Sequence, residues 1–222
     1  MHMPSDSELA SLALTHVYYN PKDILGLPSA LLALLPQALV VAYVVAIYTR
    51  REVEVCWMFA GQLSCEAFNW ILKRIIKQDR PYSVAGIGKG YGMPSSHSQF
   101  MAFFGTYIVL YVYLRCINSP VYWRMLRVLG VVSTSVAVCV SRIYLTYHTR
   151  DQVMVGVAIG TMYGILWYNF FNIMKYMGLV DWTLDQPIAR YFWLKDTIID
   201  DALPREWQLW NESRVDRNKK IS

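Results

Sequence analysis

Three short patches of this chain hold the residue types that phosphate chemistry needs. The first, "KRIIKQDRP", places Lys73 seven residues before Arg80, two helical turns, so the two cations are expected on one helix face ahead of Pro81. The second, "MPSSH", puts Ser95, Ser96 and His97 at the entrance to an apolar run. A serine there can cap a helix, and the free N–H groups of the first turn form an anion site. The third, "SRIYLTYHTRDQ", carries Ser141, Arg142 and, six residues further, His148. Taken singly, a basic helix end is usually an interface anchor and a lone histidine usually a packed or surface residue. Together, Lys73, Arg80 and Arg142 around a helix N-terminus make a cage for a phosphate or pyrophosphate. His97 and His148, with an ordinary pKa of about 6.5, then supply a nucleophile and an acid near neutrality.

The elements that must position these patches are membrane helices. The chain has 222 residues, of which 55% are hydrophobic and 17% charged. Ile24–Thr49 and Gln152–Met174 are long apolar runs, Ser98–Leu114 is shorter, and Val55–Leu72 and Val121–Tyr144 complete a set of about five spans across a core of about 30 Å. The fold expected is therefore all-α, a polytopic bundle. The first 23 residues carry acids and no basic segment before an apolar core, so the first span is expected to be retained. Residues 1–177 read as the membrane-embedded domain. Residues 178–222 mix tryptophans with charges and read as an interfacial tail.

Alternation of the spans gathers the three patches on one side. Arg50, Arg51, Arg115, Arg124, Arg127 and the basic tail fall on the other, which the charge rule makes cytosolic once the first-side cations serve as ligands. The net charge of +5 is dispersed along helix ends, which argues against nucleic-acid binding. Gly156, Gly160 and Gly164 share one face of the last span and are expected to pack within the bundle in preference to forming a dimer. The four cysteines have no zinc-ligand spacing and read as small apolar fillers; no metal or cofactor is expected. "GIGKGYG" does not fit a phosphate-binding nucleotide loop.

Lys73-x6-Arg80-Pro81, Pro94-Ser95-Ser96-His97 and Ser141-Arg142-x5-His148 resemble, in order and spacing, the three-part signature of the type 2 phosphatidic acid phosphatase superfamily. Within it, "YGMPSSHSQF", "SRIYLTYHT" and the charged tail resemble the dolichyl diphosphate phosphatases of the endoplasmic reticulum. The resemblance implies a multi-pass enzyme with a lumenal site that hydrolyses a polyisoprenoid lipid pyrophosphate without a metal. It implies His148 as nucleophile, forming a phosphohistidine, and His97 as acid. Lys73, Arg80, Arg142, Ser95 and Ser96 would hold phosphate oxygens. Ser96 stands where the family more often has glycine, and Gln152 stands where it has an aspartate, with Asp151 one step earlier. Gln152 is the expected partner of His148 and Asp151 the alternative, although an acid in a first helical turn also suits the helix dipole. Rival readings keep the cage but change the lipid, or drop catalysis for lipid-phosphate binding or transport. Both histidines argue against the latter.

Overall fold

In the computed structural model, residues 10–12, 17–81, 90–117, 119–197 and 202–221 are described. Most of the "GIGKGYG" run, with Lys89, and most of the chain before Val17 lie outside them. A short antiparallel hairpin, β1 (Ala10–Leu12) and β2 (Val17–Tyr19), precedes the helices and is an addition to the all-α expectation. The first apolar run forms two helices, α1 (Gly26–Leu32) and α2 (Leu35–Arg50). Long helices follow: α3 (Val53–Ile76), α4 (Ser96–Leu114), α5 (Val121–Tyr144) and α6 (Arg150–Tyr176). The tail holds α7 (Leu179–Asp185), α8 (Pro187–Tyr191) and α9 (Ala202–Ile221).

Among the described residues, three segments are long and apolar enough to cross a membrane by composition: Gly26–Arg50, Val121–Tyr144 and Arg150–Tyr176. α3 and α4 have other demands. α4 is the central helix, packed against α3, α5 and α6, so much of its surface meets protein and not lipid. α3 answers it with polar groups buried between the two. Asn69 Nδ2 donates to Gln99 Oε1 (2.7 Å), Gln99 Nε2 donates to the Cys65 carbonyl (2.9 Å), and Gln62 Nε2 to the Phe100 carbonyl (3.3 Å). Polar side chains in an apolar slab must be paired, and these pairs set the register of α3 on α4.

The glycine stripe of α6 lies against α4, as expected for packing inside the bundle. A methyl group at Gly156 would come within 2.7 Å of the Ser95 carbonyl oxygen, and one at Gly164 within 3.1 Å of that of Phe103. Gly160 presses on the Gln99 carbonyl itself. Toward the far end of the bundle, Trp57 and Trp167 stack at 4.8 Å, and each indole N–H donates to the other's backbone carbonyl. Tyr43, Met58, Cys65, Phe103, Tyr107 and Tyr168 form the core around them.

Candidate active site

α3 ends at Ile76, with Lys77 in the left-handed conformation (φ 52°), five residues before Pro81. The expectation that Lys73 and Arg80 share one helix face is therefore incorrect. Only Lys73 is helical, and Arg80 follows a short irregular segment. Its position is fixed instead by backbone pairing. The Gly92 N–H donates to the Gln78 carbonyl (2.6 Å), and the Asp79 carbonyl accepts from Gln152 Nε2 (2.9 Å).

Ser95 occupies the N-cap position of α4, but its side chain makes no capping bond. Its hydroxyl accepts from Ser98 Oγ (3.0 Å), and its N–H donates to the Gln152 carbonyl (3.0 Å). Ser96 opens the helix, and its hydroxyl accepts from Lys73 Nζ (3.4 Å). The first and second patches thus meet. His97 Nε2 lies 3.2 Å from the Ala33 carbonyl.

After α5 the chain folds back on itself, and the N–H groups of Tyr147 and His148 both donate to the Arg142 carbonyl (3.1 and 3.2 Å). Thr146 takes a positive φ of 59° to allow it. This reversal carries His148 to Arg142. Ser141 is spent locally, donating to the Val138 carbonyl (2.7 Å). Arg142 is only 4% exposed, with its guanidinium 4.3 Å from the Tyr147 ring centroid.

Gln152 ties all three patches together. It is fully buried, and its Oε1 lies 3.1 Å from His148 Nδ1. The amide orientation follows from chemistry: the Asp79 carbonyl can only accept, so the Gln152 nitrogen faces it and the oxygen faces His148. His148 Nδ1 must then be the protonated nitrogen, and Nε2 keeps its lone pair. Asp151, one residue earlier, is exposed in the first turn of α6. A further signal was readable in "TRDQ": Thr149 and Gln152 form a capping box, with Thr149 Oγ1 accepting from the Gln152 N–H and Gln152 Oε1 accepting from the Thr149 N–H, both at 3.3 Å. Asn69 and Gln99 were also missed, although polar residues inside apolar runs mark such positions.

Electrostatics prepare the site for an anion. Burial pushes the pKa of His148 down to about 3, and the charges of Arg142 and Arg80 push the same way, against the Gln152 hydrogen bond. The imidazole is thus neutral at pH 7. Arg80 is also lowered by burial, yet an arginine stays charged. Arg142 Nε and Nη1 and Arg80 Nε are buried donors with no acceptor among the described residues. A buried, unpaired guanidinium N–H is costly, and an anionic ligand would offer such donors an acceptor.

A helical protein with apolar spans, two buried arginines whose N–H groups lack acceptors among the described residues, and a neutral histidine oriented by an amide has groups suited to phosphoryl chemistry. The chain belongs to the PAP2 superfamily, whose model matches residues 54–175. It is 38% identical to a dolichyldiphosphatase of Saccharomyces cerevisiae over 82% of this chain and 79% of that one. It is 32% identical to dolichyldiphosphatase 1 of Homo sapiens over 95% of this chain and 92% of the relative. A Neurospora crassa relative is 37% identical over 95% of both chains. Its fold is similar to the crystal structure of a transmembrane PAP2 type phosphatidylglycerolphosphate phosphatase from Bacillus subtilis. The TM-score is 0.55 at 20% identity, covering 66% of this chain and 76% of that one. The protein is accordingly a membrane lipid phosphatase.

Proposed function

We propose that this phosphatase hydrolyses dolichyl diphosphate to dolichyl phosphate and phosphate on the lumenal face of the endoplasmic reticulum membrane, recycling the carrier lipid of N-glycosylation. The substrate is carried over from the yeast and human relatives, which the chain matches over most of its length. One observation carries the chemistry: among the described residues three buried guanidinium N–H groups of Arg80 and Arg142 have no acceptor, and they accompany a neutral His148 whose Nδ1 is held by Gln152, which leaves the lone pair on Nε2.

In this reading His148 Nε2 attacks the terminal phosphorus as the bond to the bridging oxygen breaks. His97, entering the step as the imidazolium, gives that oxygen its Nδ1 proton and becomes neutral, and dolichyl phosphate leaves. Water then delivers hydroxide to the phosphorus of the phosphohistidine and returns a proton to His97. Phosphate departs. Lys73, Arg80, Arg142, the Ser95 hydroxyl and the Ser96 N–H hold the non-bridging oxygens, where charge spreads in a loose transition state. Gln152 orients His148 and fixes its tautomer, and Asp151 has no part in the reaction. No step uses a metal. In this reading α3 and α4 also cross the membrane, making five spans. The site faces the lumen because Arg50, Arg51, Arg115, Arg124 and Arg127 mark the other side as cytosolic, and residues 178–222 lie along the cytosolic interface.

The test is phosphate release by the purified protein in detergent with EDTA, from dolichyl diphosphate, farnesyl diphosphate and phosphatidate, with a vanadate-treated control. Dolichyl diphosphate is expected to be preferred and vanadate to inhibit. His148→Ala and His97→Ala should each lose at least about a thousandfold in turnover, the scale of removing a member of a catalytic unit. Full activity in His148→Ala, or strict dependence on added magnesium, would sink the mechanism.

A further inference from the structure

We infer that the break in the first membrane helix positions His97: it frees the Ala33 carbonyl to hold the imidazole through Nε2. The inference rests on the reading of His97 as the acid. α1 stops at Leu32 and α2 starts at Leu35, with Pro36 in its first turn. Proline has no N–H, so the Leu32 carbonyl can have no ordinary helical donor, and the ladder must interrupt near this point. The turn tightens as it breaks. The Leu34 N–H donates back to Leu31 O (3.0 Å), and helical bonding resumes with the Ala38 N–H on Leu34 O (3.0 Å). Between those two bonds the Ala33 carbonyl takes a side-chain donor instead, His97 Nε2 at 3.2 Å. With its nitrogen turned toward the break, the Gln37 amide reaches the same oxygen at 3.2 Å, which fills the second lone pair.

The break is seated firmly enough to aim a ring. Ala30 and Ala33 are fully buried, packed with Val17, Tyr19, Leu145 and Tyr147. Leu32 and Leu35, on either side of it, pack against Phe100, Met101 and Val138, in the first turns of α4 and the end of α5. His97 is thus gripped from a helix distant in sequence while its own backbone sits in the first turn of α4. A carbonyl oxygen only accepts, so Nε2 carries the proton of that bond. An acid at Nδ1 then requires the imidazolium: its second proton, on Nδ1, passes to the leaving oxygen, and the neutral ring left behind keeps its Nε2–H on the Ala33 carbonyl. The arrangement mirrors His148, which is held at Nδ1 and reacts at Nε2.

A backbone ester at position 34 tests this directly. Replacing Leu34 by its α-hydroxy acid turns the Ala33 carbonyl into an ester carbonyl, a weaker acceptor, and leaves every side chain in place. An ester at position 33 is the control: it removes an N–H from the same turn, but Ala33 keeps its amide carbonyl. Kinetics are read with 4-nitrophenyl phosphate, whose leaving group needs little protonation, and with phenyl phosphate, whose leaving group needs it. The position-34 ester should lower kcat on phenyl phosphate by about tenfold and on 4-nitrophenyl phosphate by less than about threefold, with KM nearly unchanged, as expected for impaired general acid catalysis. The position-33 ester should show no such split. An equal loss on both substrates, or no loss at position 34, overturns the inference. His97→Ala is run alongside. If it shows no leaving-group dependence, the acid assignment itself falls, whatever the esters do.

Discussion

His148 is held at Nδ1 and keeps its lone pair at Nε2, and the group holding it is an amide. A carboxylate at position 152 would bring a charge to stabilise the imidazolium; Gln152 brings orientation alone. Its nitrogen is anchored on the Asp79 carbonyl and its oxygen is shared by His148 and the Thr149 N–H. Gln152→Ala is therefore expected to reduce kcat by more than tenfold, while Asp151→Asn, on an exposed first turn, changes it less than about twofold. Phosphate release under saturating substrate measures both, and the reverse ranking would move the role to Asp151. Burial of His148 also makes a pH prediction. Its pKa is near 3 in the folded protein and about 6.5 in an unfolded chain, so the unfolded state binds the proton more readily. The stability contributed is complete above about pH 6.5 and drains away as pH falls toward 3. His148→Gln should thus lose less of its melting temperature than the wild type between pH 6.5 and 4 in detergent. Parallel curves would show that His148 titrates normally.

Among the helices, the contact of α4 with α6 determines whether the second and third patches meet. It is close because three glycines leave no side chain between the backbones, and dispersion and backbone contact replace the hydrophobic drive that lipid removes. Gly160 faces the Gln99 carbonyl, and Gln99 in turn holds Asn69 of α3. Gly160→Val is expected to cost on the order of 1–3 kcal/mol of stability, as overpacking does, and to shift Ser95 away from Gln152. A thermal melt in detergent together with kcat checks it: both should fall, whereas Gly130→Val, a position with open space around it, should leave both unchanged. Unaltered melting of the Gly160 variant would mean that α4 and α6 separate freely.

Over the whole molecule, polar groups gather at two ends of the bundle. One end holds the histidines. At the other, Glu52 is buried and accepts from the N–H and hydroxyl of Thr197, while Lys195 pairs in parallel with the start of α3 and Lys175 meets Asp196. Lys175 stands 25 residues beyond Arg150 along α6, about 38 Å at a rise of 1.5 Å per residue, enough to cross the hydrocarbon core. The tail is therefore stitched to the face opposite the site. Asn211-Glu212-Ser213, within α9, is a formal glycosylation sequon. With the site lumenal it sits in the cytosol and should remain unmodified, read as no mobility shift on endoglycosidase treatment of the microsomal protein. A glycan on Asn211 would require the reverse orientation.

The chemistry proposed for this protein is legible in residue types and spacing. Two histidines, three cations and a helix N-terminus at the end of apolar runs needed no coordinates, because phosphate binding and nucleophilic attack draw on so few side chains. The glycine stripe was equally legible, since helical periodicity puts residues four apart on one face. What the sequence could not reveal was how the groups are aimed. The spacing of Lys73 and Arg80 fitted a helix that in fact ends at Ile76, because Lys77 turns the chain left-handed and long-range bonds from the Gly92 N–H and the Gln152 side chain hold the segment. The sequence favours Gln152 over Asp151 only by position; burial gives the physical difference, one facing out and the other sealed against His148. The grip of Ala33 on His97 was invisible, because a backbone carbonyl has no sequence signature and its partner lies 64 residues away. Periodicity reports local geometry; only the packed bundle decides which donor meets which acceptor.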